Sequence, residues 1–226
     1  MRTSAIVLGV CSLALALAAP AIARPVMRQG VPVEALTPVG LERVRVRVPR
    51  AEGQPVRLTY AAAGTRRAQV LIEVVVGADA EQARVALEHW RHQLARDLPV
   101  VDGVGDEAYG TSASIAFVRD NVMVAVRRVD GEADILELAT TADAAVMGAP
   151  RGRPTPARLE VAVPPTLARG EDVDVAAPSD VLAADVRVEG PARVRRTRDG
   201  WRLSRTADGA VRVRMVAVDG LLRVTR

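Results

Sequence analysis

The chain has 226 residues, 49% hydrophobic and 26% charged, too apolar for a disordered chain and long enough for one large or two small domains. Its formal net charge is only +4 at pH 7, and every basic residue is an arginine, which inflates the isoelectric point without titrating near neutrality. Aromatics make up 2% of residues, so the stacking platform of a nucleic-acid binder is missing and that class is set aside.

The N-terminus pairs Arg2 with an apolar run from Ala5 to Ala19 and ends in Pro20-Ala21-Ile22-Ala23. A spanning helix needs roughly 20 apolar residues, and this run is shorter. A positive start, a short apolar stretch and a small-x-small site predict a secretory signal peptide over residues 1–23, cleaved after Ala23. The expected location is periplasmic or secreted, with no transmembrane segment left after cleavage. Cys11, the only cysteine, falls inside the apolar run. The mature chain would hold no disulfide and no thiolate metal site.

Residues 24–39 read as a loose lead-in, because Pro25, Pro32 and Pro38 interrupt regular structure. Val44-Arg45-Val46-Arg47-Val48 alternates strictly and predicts a strand with valines on one face and arginines on the other. Strands are also expected over Val56–Ala62 and Gln69–Val76, with a turn around Gly64; the second is nearly all apolar and expected to be central. From Asp79 to Arg96 the period becomes helical, with Ala83, Leu87, Trp90 and Leu94 on one stripe and Asp79 as the cap. The loop 102–107 follows. Ile115–Arg119 and Val122–Arg128 predict a hairpin turning on Asp120-Asn121. Glu132–Met147 carries a second helical pattern through Ile135, Leu138, Ala142 and Val146.

Gly148 to Pro156 is rich in proline and glycine and predicts an extended linker over 150–156. Beyond it come short alternating runs starting at Leu159, Val173, Val186, Ala192, Trp201, Val211 and Leu221. Asp199-Gly200, Asp208-Gly209 and Asp219-Gly220 stand between runs as hairpin signals. The expected fold is thus an α+β domain over 40–149, an antiparallel sheet with two helices, followed by an all-β domain over 157–226. The latter is a small sandwich, immunoglobulin-like in shape, anchored on Trp201.

Gly103-Val104-Gly105-Asp106-Glu107-Ala108-Tyr109-Gly110, followed by Ile115 through Val126, resembles a loop-and-hairpin stretch of bacterial secreted proteins and lipoproteins, the PsbP-like α/β sandwich of LpqN-type lipoproteins. The resemblance covers about residues 56–147. It implies an envelope-exposed, non-catalytic domain. This chain lacks the lipid-bearing cysteine of those proteins and adds the β domain.

Several residues could carry chemistry. His89 and His92, the only histidines, stand three apart on the predicted helix and could share a metal with Glu88 nearby. They project away from the apolar stripe and no third ligand is specified, so a solvated face is expected. Asp102, Asp106 and Glu107 could hold a calcium ion; acids bonding their own loop, beside glycines placed for positive φ, account for the pattern more simply. The same loop formally matches a dinucleotide fingerprint, but it leaves a helix and enters a strand, the reverse of the required context. No serine lies in a nucleophile-elbow pattern. The expectation is therefore no cofactor and no metal. Arginines fall in strand-alternating sets, Arg43, Arg45 and Arg47; Arg193 and Arg195; Arg212 and Arg214. Each set is expected on one sheet face, as an anion-recognising surface or as a solvated face that guards strand edges.

The expected function is a non-catalytic envelope binding or interaction module. Its partner would be an envelope protein or an anionic envelope polymer. A carboxylate-dependent periplasmic hydrolase and a binder of anionic polymer or lipid surfaces are the alternatives.

Overall fold

The computed structural model describes residues 26–51, 53–94, 97–155 and 168–225. The expected signal segment, and the strand expected at Leu159, lie outside the described residues.

Six strands form one antiparallel sheet in the first part: β1 (Leu41–Arg47), β2 (Val56–Ala62), β3 (Ala68–Val76), β4 (Glu107–Thr111), β5 (Ser114–Arg119) and β6 (Val122–Arg128). Their spatial order is β1-β2-β3-β6-β5-β4. Successive side chains point to opposite faces, so each strand feeds two cores. Leu58, Tyr60, Val70, Ile72, Val74, Phe117 and Val124 pack on one face with Ile135, Ala139, Ala142 and Val146 of α2 (Ile135–Gly148). Ala116, Val118, Met123 and Ala125 pack on the other with Ala83, Leu87 and Trp90 of α1 (Ala80–Gln93). The two helices therefore cover opposite faces of one sheet. Fully burying a side chain such as Leu87 contributes about 1.5–3 kcal/mol, which makes this packing the main term.

Local signals start the helices where expected. The Asp79 carboxylate accepts from the Gln82 backbone N–H at 2.9 Å, and the Gln82 amide reaches back to the Ala78 N–H at 3.0 Å. This reciprocal capping satisfies two donors that the first turn leaves orphaned. Asp134 caps α2 through the N–H groups of Leu136 and Glu137. The β5–β6 turn falls on Asp120-Asn121, with Asp120 at φ 56°, a conformation that aspartate tolerates better than most residues. β4 was not expected as a strand. It is held between β5 and residues 99–101, which bridge its outer edge.

The second part contains two antiparallel three-stranded sheets. β7 (Asp172–Ala176), β10 (Gly200–Arg205) and β9 (Ala192–Arg196) form one; β12 (Val224–Thr225), β11 (Arg212–Asp219) and β8 (Val181–Glu189) form the other. Val175, Trp201 and Leu203 from the first meet Val186 from the second in a small core. The expected sandwich with Trp201 at its centre is thus present. Two of the three Asp-Gly pairs make hairpins, Asp199-Gly200 between β9 and β10 and Asp219-Gly220 between β11 and β12. Asp208-Gly209 does not: β10 and β11 belong to different sheets, so this turn crosses from one layer to the other.

The structure corrects three expectations. The lead-in is packed: Val31, Val33 and Leu36 are buried in the main core, the last two on a short 3-10 helix over Val33–Leu36. The linker does not begin as a free spacer, because Gln29 N–H donates to the Pro150 carbonyl and Gly152 N–H to the Met27 carbonyl. The boundary at 157 separates sheets but not cores. Val218 and Leu222 pack into the main core, and residues 31 and 33 donate to the carbonyls of Leu221 and Gly220. Gly30 passes so near that a Cβ would stand 2.3 Å from the Leu221 oxygen, so this position has room only for glycine.

Candidate functional site

The acids of the 102–107 loop do not converge. Asp102 is exposed. Asp106 accepts from Arg119 Nη1 at 2.7 Å and from the Asp120 backbone N–H at 2.8 Å. Glu107 lies on the α1 face of the sheet and accepts from the Tyr109 hydroxyl at 2.9 Å; that hydrogen bond pushes the Tyr109 pKa up. Gly103 and Gly105 both have positive φ. A Cβ on Gly105 would also stand 2.6 Å from the Val118 oxygen. The glycines thus serve loop geometry, and Asp106 holds the loop to the β5–β6 turn.

The group that organises this loop was missed in the sequence. Asp143 sits buried on the α2 stripe, accepting from Arg119 Nε at 2.8 Å, Arg119 Nη2 at 2.6 Å and the Gly105 N–H at 3.0 Å. Burial alone would push its carboxyl up; the Arg119 hydrogen bonds, the Gly105 amide and the Arg119 charge outweigh that and hold it below the usual carboxylate range. Arg119 is raised further, first by its hydrogen bonds to Asp143. An acid inside an apolar helical stripe was the available signal, since a buried charge requires a partner.

A buried cation, Arg28, has the same structural character. Arg28 donates from Nε to Asp120 at 2.7 Å and from Nη1 to the carbonyls of Met147 and Ala149 at 2.7 and 3.0 Å. It thereby satisfies orphan carbonyls at the negative end of α2. Asn121, the only asparagine, is fully buried and clamps Arg28 N–H, Arg28 O and Gly77 O.

His89 and His92 both lie on the exposed side of α1, and the His89 Nε2 is 2.8 Å from the Gln93 amide nitrogen. Among the described residues no group of three or more His, Cys, Asp or Glu side chains could hold a metal ion.

The arginine sets are split. A bulge in β1 between Arg43 and Arg45 changes the register against β2, and one extra residue reverses which face a strand's side chains take. Arg43 pairs across from Tyr60 on the α2 side, where it meets Glu34 at 3.3 Å. Arg45 and Arg47 turn to the α1 side, and Val44 is exposed. The expected single face for Arg43, Arg45 and Arg47 is thus broken by the bulge. Arg193 and Arg195 share the outer face of β9; Arg212 and Arg214 share the outer face of β11, within 3.9 Å of Glu189. The inward neighbours Val194 and Val213 face one core from opposite sheets, so these two pairs point to opposite sides of the sandwich.

Arg45 and Arg47 instead open into a cleft of about 1080 Å³ between β1, β2, α1 and β8. α1 covers β3, β5 and β6, leaving the β1–β2 end of this sheet face free. Arg57 stands opposite Arg47 in register, and its Nε donates to the buried Glu73 at 2.6 Å. Across the cleft Arg196 lies 4.5 Å over the Trp201 ring and donates to the Ala184 carbonyl at 3.1 Å. Arg50 also lines the cleft, and its carbonyl accepts from Arg187 at 2.8 Å, tying β8 to the first part. Both carboxylates of the lining are engaged, Glu73 by Arg57 and Asp185 by Arg187 at 3.5 Å. Among the described residues Arg45 and Arg47 have no carboxylate partner. A concave surface with an excess of one sign of charge concentrates counter-ions at its mouth.

Arg57, Glu73 and Arg196 were not picked out from the sequence. Glu73 interrupts an apolar run, which signals a basic partner on the next strand. Arg196 breaks the alternation of β9 and so leaves the outer face of Arg193 and Arg195.

No protein-family model, curated protein or solved structure matches this chain.

Proposed function

We propose that the protein is an exported, non-catalytic binding module of the bacterial envelope, with the arginine cleft between the two parts as its contact surface. One observation carries the reading: among the described residues Arg45 and Arg47 face a common cleft without carboxylate partners, while both carboxylates of that lining are already taken, Glu73 by Arg57 and Asp185 by Arg187. Guanidinium groups held in this way suit carboxylate and phosphate recognition. Of the acids of the 102–107 loop, Asp106 is bound to Arg119 and a backbone amide, Glu107 to Tyr109, and Asp102 is exposed. That arrangement favours binding over a hydrolase built on those carboxylates, which would need two acids across one substrate bond. The signal-like N-terminus and the resemblance of the Gly103–Tyr109 loop support envelope location.

The test has two steps. Fractionation of the producing cell with N-terminal sequencing should find the protein outside the cytoplasm, beginning at Arg24. A pull-down from envelope extract at low and high salt should then retain a specific partner. Cytoplasmic protein that still carries Met1 would contradict export. No retention at either salt would remove the binding reading.

A further inference from the structure

Resting on the binding reading above, we infer that the cleft takes a linear polyanion, a chain repeating phosphate or carboxylate groups, laid across both parts of the molecule. Arg45 and Arg47 are two residues apart on one strand face, which sets their Cα atoms about 7 Å apart. Arg57 stands beside Arg47 on the neighbouring strand, about 4.8 Å away in the backbone. Arg196 approaches from the other wall, already oriented by Trp201 and the Ala184 carbonyl. One small anion cannot engage cations spread over two strands and a facing sheet. A chain with repeated charges can give each guanidinium its own anionic group, in the bidentate geometry that arginine favours.

Two further observations separate this ligand from a membrane. The site is concave, with Glu73 and Arg57 in its lining below the β1 edge, so a flat anionic bilayer cannot follow its surface. The exposed arginines elsewhere, Arg193 and Arg195 against Arg212 and Arg214, point to opposite sides of the sandwich and cannot meet one plane. The α1 wall of the cleft presents His89 and Gln93, whose side chains bond each other, and brings no carboxylate to face an anionic chain.

The test is equilibrium binding of the purified protein to short linear polyphosphate, to an oligouronate, to inorganic phosphate and to anionic phospholipid vesicles, over a range of salt. Polyphosphate or oligouronate, or both, should bind more tightly than inorganic phosphate, and the better of the two identifies the anionic group. The slope of log affinity against log salt should fall by about 1 for each cleft arginine removed. Arg45→Glu/Arg47→Glu and Arg196→Glu should each weaken binding about tenfold or more, because charge reversal adds repulsion to a lost contact. Arg193→Glu/Arg195→Glu, with the same change in net charge as the first pair, should keep wild-type affinity. Circular dichroism of all variants separates lost binding from lost fold. Equal weakening by the outer-face pair would overturn the inference, since attraction would then be diffuse. Binding to vesicles but to neither polymer would also overturn it. If neither polymer binds while the envelope pull-down still retains a protein, the polyanion inference fails and the binding-module reading stands. If both experiments come up empty, both fail.

Discussion

The inward-turned arginines of the first part contrast with the outward ones of the sandwich. In the six-stranded part, Arg28 and Arg119 turn inward and are saturated by carboxylates and carbonyls. In the sandwich, Arg193, Arg195, Arg202, Arg212 and Arg214 stand outward on the strands, where pairs such as Arg202–Asp174 lie in solvent. The cores differ too. The first part buries two helices against two sheet faces, whereas the sandwich rests on Val175, Val186, Trp201 and Leu203 and leans on the main core through Val218 and Leu222. The lesson is that a residue type carries no fixed role. Burial and prior partners decide whether an arginine holds the fold, solvates it, or stays available for a ligand.

Trp201 gives the sharpest way to break the comparison. Trp201→Ala should destabilise by about 3–5 kcal/mol, the usual loss for a buried large aromatic. Hydrogen exchange should quicken in β7, β9 and β10 while β3 and β6 stay protected. Uniform loss of protection across both parts would instead show that the sandwich has no separate opening.

Asn121→Ala should cost about 2–4 kcal/mol in urea denaturation, since it strips partners from three buried backbone groups. A shift below 1 kcal/mol, about the net worth of a single hydrogen bond, would mean that the lead-in is not held by this clamp.

Asp143 adds a pH-dependent term of smaller size. Its folded carboxyl lies below the ordinary value, so the unfolded state binds its proton first as pH falls. The stability it contributes is full above the ordinary carboxylate pKa of about 3.9 and is lost as pH drops from there through the folded value. Asp143→Asn should therefore lower stability at neutral pH and flatten the acid limb of the profile. An acid limb parallel to that of the wild type would contradict this assignment.

Arg202→Ala should leave the unfolding midpoint unchanged within error, because both partners of the Arg202–Asp174 pair are exposed and screened. A clear drop would show that the outer ladder of the sandwich is structural after all.

The patterned segments were legible in the sequence. The α1 stripe, the β5–β6 hairpin and the alternating runs of the sandwich each follow a period that burial enforces. What escaped depends on contacts distant in sequence. β4 is short and broken by Gly110, and it is recognisable only beside β5. The lead-in looked loose because its prolines mask Val31, Val33 and Leu36, whose burial needs α2 and the far C-terminal hairpin. For the site, Arg45 and Arg47 were visible as alternating arginines, but the bulge that separates Arg43 from them was not. Arg57, Glu73 and Arg196 join the cleft only through cross-strand register and the packing of β8 against the first part.

The central claim is that the cleft arginines are the ones available for a ligand. The most direct measurement is retention on an immobilised linear polyanion for two charge-matched double variants, with midpoints of unfolding measured alongside. The account predicts that Arg45→Glu/Arg47→Glu elutes at much lower salt than wild type with an unchanged midpoint. It predicts that Arg212→Glu/Arg214→Glu, on the outer face of β11, elutes close to wild type. Equal retention of the two variants, or a greater loss from the β11 pair, would contradict it.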